Sequence, residues 1–122
     1  MDNLSTATGT ITINSGTITA GGYHGIAVRN GQVIINGGTL IGETRQGIYG
    51  AGGKVTINNG TIQGTEEAID IVSGTAEIIN GTLTGTTQAI IITGKGKVIV
   101  EGGNLEGINE EASDISRRSP HF

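Results

Sequence analysis

Five glycines, Gly16, Gly38, Gly60, Gly81 and Gly103, fall 22, 22, 21 and 22 residues apart, and each is followed by Thr or Asn and then by Ile or Leu. A period this constant means that one supersecondary unit has been copied along the chain, and such units bury their apolar side only by stacking on their neighbours. The copies begin at Gly9, Gly31, Gly53, Gly74 and Gly96. The last is worn, although its ASDIS still echoes the AIDIV of Ala68 to Val72. Repeats are therefore expected over residues 9–116, after an N-terminal cap or disordered lead (1–8) and before a C-terminal tail (117–122).

Within each copy the apolar residues alternate, as in Ile11 and Ile13, Val33 and Ile35, Val55 and Ile57, Ala76 and Ile78, and Val98 and Val100. Alternation is strand periodicity. A second short strand brings one inward residue per copy, Ile18, Leu40, Ile62, Leu83 and Leu105. A third brings Ile26 and Val28, Ile48, Ile69 and Ile71, Ile90 and Ile92, then Ile115. Three short strands per copy, joined by glycine turns, do not suit a meander that keeps every aliphatic on one side. A coil does. The predicted class is all-β: a parallel β-solenoid of about five coils of 21–22 residues, with like residues stacked about 4.8 Å apart into continuous aliphatic columns. Asn14, Asn36 and Asn58 would then stack at one corner, where Asn tolerates left-handed backbone and can bond to its neighbour in the next coil.

The repeated NGGTL, NNGTI and INGTL stretches (from Asn36, Asn58 and Ile79) give the chain a texture that resembles the right-handed parallel β-helix, or pectin-lyase-like, proteins, and most of all the Gly- and Thr-rich repeats of bacterial surface and secreted proteins. The resemblance implies a right-handed helix, a secreted or cell-surface location, and functional groups on one sheet face and its flanking loops.

Length and charge narrow the function. A chain of 122 residues makes one domain with one core. The net charge of −4, with no polybasic stripe, argues against nucleic acid as a partner. No run approaches the ~20 apolar residues of a membrane span, and MDNLSTATG lacks the regions of a signal peptide. The absence of Cys removes disulfide and thiolate chemistry. The two histidines, His24 and His121, have no second ligand at zinc spacing. No metal or other cofactor is expected.

The loop between second and third strands gathers the unusual side chains into one ridge: Tyr23, His24, Glu43, Arg45, Glu66, Glu67, Glu110 and Glu111. Beside it, outward positions of the third strand read Ala27, Tyr49, Asp70, Ile91 and Asp114. The candidate ligand residues are Tyr23, His24, Arg45, Tyr49, Glu66, Glu67 and Asp70, because tyrosine rings stack on sugars while the polar neighbours hydrogen-bond. The simpler account makes the tyrosines surface rings that seal the turn over Gly50, where other coils carry Ile or Val. Asp70 and Asp114 are the nearest approach to a glycosidase pair, but Ile91 stands between them and no acids occupy adjacent coils. Polysaccharide lyases of this architecture typically need a calcium-binding acidic cluster and a basic proton acceptor. Glu66, Glu67 and Asp70 with Arg45 match no such motif. The threonine column Thr17, Thr39, Thr61 and Thr82 has its companion Thr in only two coils, so it is read as a structural ladder rather than an ice-binding array.

A solenoid leaves strand edges at both ends. Leu4, Ile115 and Phe122 are the candidate caps, and they are thin, so association of chains through the ends or by tail exchange is expected. The sequence thus points to a non-catalytic structural or interaction module presenting its ridge to a glycan or a protein. The alternatives are a carbohydrate-active enzyme fragment using Asp70 and a self-assembling or domain-swapped scaffold.

Overall fold

The computed structural model describes residues 4–6, 9–21, 24–92, 95–106 and 115–117. Its strands are β1 (Leu4–Thr6), β2 (Thr10–Ile13), β3 (Thr17–Ala20), β4 (His24–Val28), β5 (Gln32–Ile35), β6 (Thr39–Gly42) and the long β7 (Gln46–Ile57). They continue as β8 (Thr61–Gly64), the long β9 (Glu67–Ile78), β10 (Thr82–Gly85), β11 (Gln88–Ile92), β12 (Lys97–Val100), β13 (Asn104–Glu106) and β14 (Ile115–Arg117). Among the described residues every pairing is parallel, and all but that of β12 with β14 join a strand to its equivalent one coil away. The chain is a parallel β-solenoid of about four turns.

Three faces result. The first stacks β2, β5, the second halves of β7 and β9, then β12 and β14. The second stacks β3, β6, β8, β10 and β13. The third stacks β1, β4, the first halves of β7 and β9, and β11. β7 and β9 are long because they run round the corner from third face to first without a break. β7 turns there through Gly52 (φ 136°) and Gly53 (φ 72°), in a backbone region closed to most side chains.

The periodic glycines behave similarly. Gly16, Gly38, Gly60, Gly81 and Gly103 all have positive φ, whereas no described non-glycine residue does. The left-handed turn is therefore carried by glycine and not by the stacked asparagines. Their role is lateral: Asn36 Nδ2 donates to Asn14 Oδ1 at 2.9 Å, and Asn58 Nδ2 to Asn36 Oδ1 at 2.8 Å. Ile79 takes the next place in that column, so the ladder stops, and Ile79 stands 39% exposed.

Aliphatic columns fill the interior. On the second face Leu40, Ile62 and Leu83 are sealed, while Ile18 and Leu105, at the two ends of the same column, are only partly buried. Each sealed side chain contributes roughly 1.5–3 kcal/mol of hydrophobic stabilisation, and a column end, lacking a neighbour on one side, contributes less. The threonine column is in register, Thr17 on Thr39, Thr61, Thr82 and finally Asn104.

The ends extend the stack. Leu4 belongs to β1, which pairs with β4 in register with Ile26, a further rung on the third face. Ile115, expected above Ile92, pairs with Val98 on the first face, because the chain advances only 17 residues from Val98 to Ile115 against 22 from Ala76 to Val98. Phe122 and Asp114 lie outside the described residues.

Candidate functional site

The ridge is built at the corner where the second face turns into the third. A Cβ on Gly64 would overlap the Glu67 carbonyl, and one on Gly42 the Gln46 carbonyl, so only glycine allows so tight a corner. The loops are then tied to one another coil by coil. Glu66 N donates to Arg45 O and Thr87 N to Glu66 O, both at 2.9 Å. Thr65 Oγ1 donates to Glu43 O at 2.7 Å, and Thr44 Oγ1 to Gly21 O at 3.0 Å. These bonds fix the ridge before any ligand arrives.

Two neighbouring glutamates have different fates. Glu66 faces solvent and pairs with Arg45, with Nε 3.2 Å from Oε1 and both side chains about half exposed (44% and 50%). Glu67 turns under the ridge, 8% exposed, where its Oε1 accepts a 2.8 Å hydrogen bond from Gln46 Nε2. Gln46 is itself 1% exposed. The Gln46 Oε1 atom and the Asp70 Oδ1 atom are both closed to solvent without a hydrogen-bond partner.

The outward column of the third face is in the expected register, Ala27 on Tyr49, Tyr49 on Asp70 and Asp70 on Ile91. Asp70 therefore stands between an aromatic and an aliphatic rung. Burial pushes its carboxyl up from 3.8 to about 6; Glu67 adds to the rise, Arg45 opposes it, and Glu66 adds slightly. One coil back, the His24 and Tyr49 rings lie parallel, with centroids 4.4 Å apart and planes 12° apart. Both are half-buried.

His24, Arg45, Tyr49, Glu66, Glu67 and Asp70 are thus brought to one ridge, and Tyr23 lies outside the described residues. Tyr49 is not needed to fill the gap at Gly50. Ile71 does so, its Cδ1 reaching within 2.7 Å of where a Gly50 Cβ would stand. Sequence reasoning passed over Gln46. Its signal was a polar residue in each of the first four coils just ahead of a small buried one: His24 before Gly25, Gln46 before Gly47, Glu67 before Ala68 and Gln88 before Ala89.

Among the described residues no three His, Asp or Glu side chains converge as metal ligands. A concavity follows the glycine turns between first and second faces, lined by Asn59, Asn80 and Asn104 between stacked glycines. With Thr61 and Thr82 it offers neutral amides, hydroxyls and backbone but neither ring nor charge. The ridge is the place where rings, charges and a perturbed carboxyl meet. Compared with family models, curated proteins and solved structures, the chain matches none.

Proposed function

We propose that the chain is a non-catalytic interaction module, akin in build to the right-handed pectin-lyase-like repeats of secreted and surface proteins, and that its third-face ridge binds a glycan. The observation that carries this reading is the parallel His24–Tyr49 ring pair set one rung from Asp70. Flat half-exposed rings give a sugar an apolar surface, while the carboxyl and the Arg45–Glu66 pair offer directional hydrogen bonds at its rim. The inter-coil bonds under the ridge hold these groups in place, so little ordering is needed on binding.

A glycan array followed by titration calorimetry tests the reading. Wild-type chain binds a subset of saccharides, and Tyr49→Ala weakens binding by about tenfold or more, the loss expected for a ring contact. A wild-type chain that binds no saccharide removes the proposal. One observation favours a second reading: a carboxyl near 6 is suited to general-acid catalysis, and such groups cluster at active sites. An enzyme would cleave members of the same panel, and Asp70→Asn would abolish the cleavage. Binding without cleavage leaves the module as the function.

A further inference from the structure

Building on the glycan reading, we propose that the saccharide is cationic: a sugar unit with a free, protonated amine, its ammonium group held by Asp70 within the field of the Gln46–Glu67 pair and its ring against the His24–Tyr49 stack. Two acceptor oxygens under the ridge lack a donor. Arg45 answers Glu66, and the Gln46 amide answers one oxygen of Glu67. Asp70 Oδ1 and Gln46 Oε1 are left without a hydrogen. Sealed acceptors with no donor cost free energy, and a ligand that brings donors recovers it. An ammonium group brings three donors and no acceptor.

Charge selects among possible donors. Glu43, Glu66, Glu67 and Asp70 share this ridge with Arg45, the latter engaged by Glu66. Burial is the first cause that raises the Asp70 carboxyl, and Glu67 then adds to the rise, Arg45 opposes it and Glu66 adds to it, so like charges do act on Asp70 here. A uronic acid would add like charge to this cluster. An N-acetylated sugar would bring a single amide N–H, a further carbonyl acceptor and no charge. A compact divalent cation needs several oxygens converging on one point, which these side chains do not supply. Asp70 is half-buried, and in the proposed complex its Oδ1 turns outward to meet the ammonium group. Gln46 Oε1 stays closed off and acts as the negative end of an unanswered amide dipole.

Titration calorimetry of the full chain against a glucosamine oligomer, its fully N-acetylated counterpart and a galacturonate oligomer, at matched ionic strength, decides the matter. The free amine binds about tenfold or more tightly than the other two, as expected for a charge-assisted contact. Raising the salt concentration narrows the gap. Asp70→Asn, checked for an unchanged circular dichroism spectrum, brings the preference to within about twofold. If the N-acetylated or uronate oligomer binds as well as the amine, or if the wild-type preference is indifferent to salt, the inference falls and the glycan reading stands. A preference that survives in Asp70→Asn also overturns it. If none of the three oligomers nor any other saccharide binds, both fall together.

Discussion

Two corners of the same coil treat the repeat in opposite ways. At the asparagine corner the residue is copied, and each copy answers the next: Asn14, Asn36 and Asn58 form a chain of amide bonds in which every coil supplies what its neighbour lacks. On the ridge the residue changes at each coil, His24 to Gln46 to Glu67 in one column and Ala27 to Tyr49 to Asp70 in the other. Unlike neighbours cannot satisfy one another by symmetry. One pair, Gln46 with Glu67, finds a bond, and two buried oxygens find none. Copying gives a self-consistent scaffold, and departure from the copy leaves unsettled chemistry at the surface, where local rules are expected to break at functional sites.

The largest effect that bears on this contrast comes from the columns that every coil shares. Ile62 is fully sealed, stacked between Leu40 and Leu83, and truncation to Ala leaves a cavity with a wall on every side. Ile62→Ala should lower unfolding free energy by about 2–5 kcal/mol, read from urea denaturation. Tyr49→Ala on the ridge removes a half-buried ring and should cost less than Ile62→Ala. A ridge substitution that destabilises as much as the core one would break the division between scaffold and surface.

A smaller effect tests the ladder itself. Asn36 is its middle member, donating to Asn14 and accepting from Asn58. Asn36→Ala deletes both bonds, but the ladder is solvent-exposed and water replaces much of what is lost, so about 1 kcal/mol is expected. Asn58→Ala deletes the bond to Asn36 alone and should cost about half as much. Equal costs would mean that the amides act singly and that stacking in register adds nothing.

The two corners were also unequally legible in the sequence. Copying made the scaffold readable: a residue 21 or 22 positions away is the rung neighbour, so the register Thr17 on Thr39 and Tyr49 on Asp70 follows from the period alone. The echo of AIDIV in ASDIS placed Ile115 above Ile92, and it failed there because only 17 residues separate Val98 from Ile115 and the two pair with each other. On the ridge the period gave positions but not interactions. Glu66 and Glu67 look alike in sequence, yet one side chain meets Arg45 in solvent and the other meets Gln46 under the surface. What separates them is their place at the corner that follows Gly64, where successive side chains point to opposite sides of the backbone. That turn depends on a backbone contact, Gly64 against the Glu67 carbonyl, which no alternation of apolar residues encodes.

The smallest effect reports on the ridge alone. The Asp70 carboxyl titrates near 6 in the folded chain against 3.8 in its ordinary state, so between these values the native state holds a proton that the unfolded state has released. Stability from this group is complete below about pH 4, declines as pH rises through about 6, and is level above that. The full displacement would amount to about 3 kcal/mol, and screening of a half-exposed carboxyl reduces it to about 1 kcal/mol or less. Asp70→Asn keeps the shape and removes the charge. Relative to wild type, the variant should gain stability at pH 7 and lose that advantage by about pH 4, as measured by urea midpoints across the range. A difference between the two chains that does not change with pH would place Asp70 in contact with water, and the ridge would then be as self-satisfied as the asparagine corner.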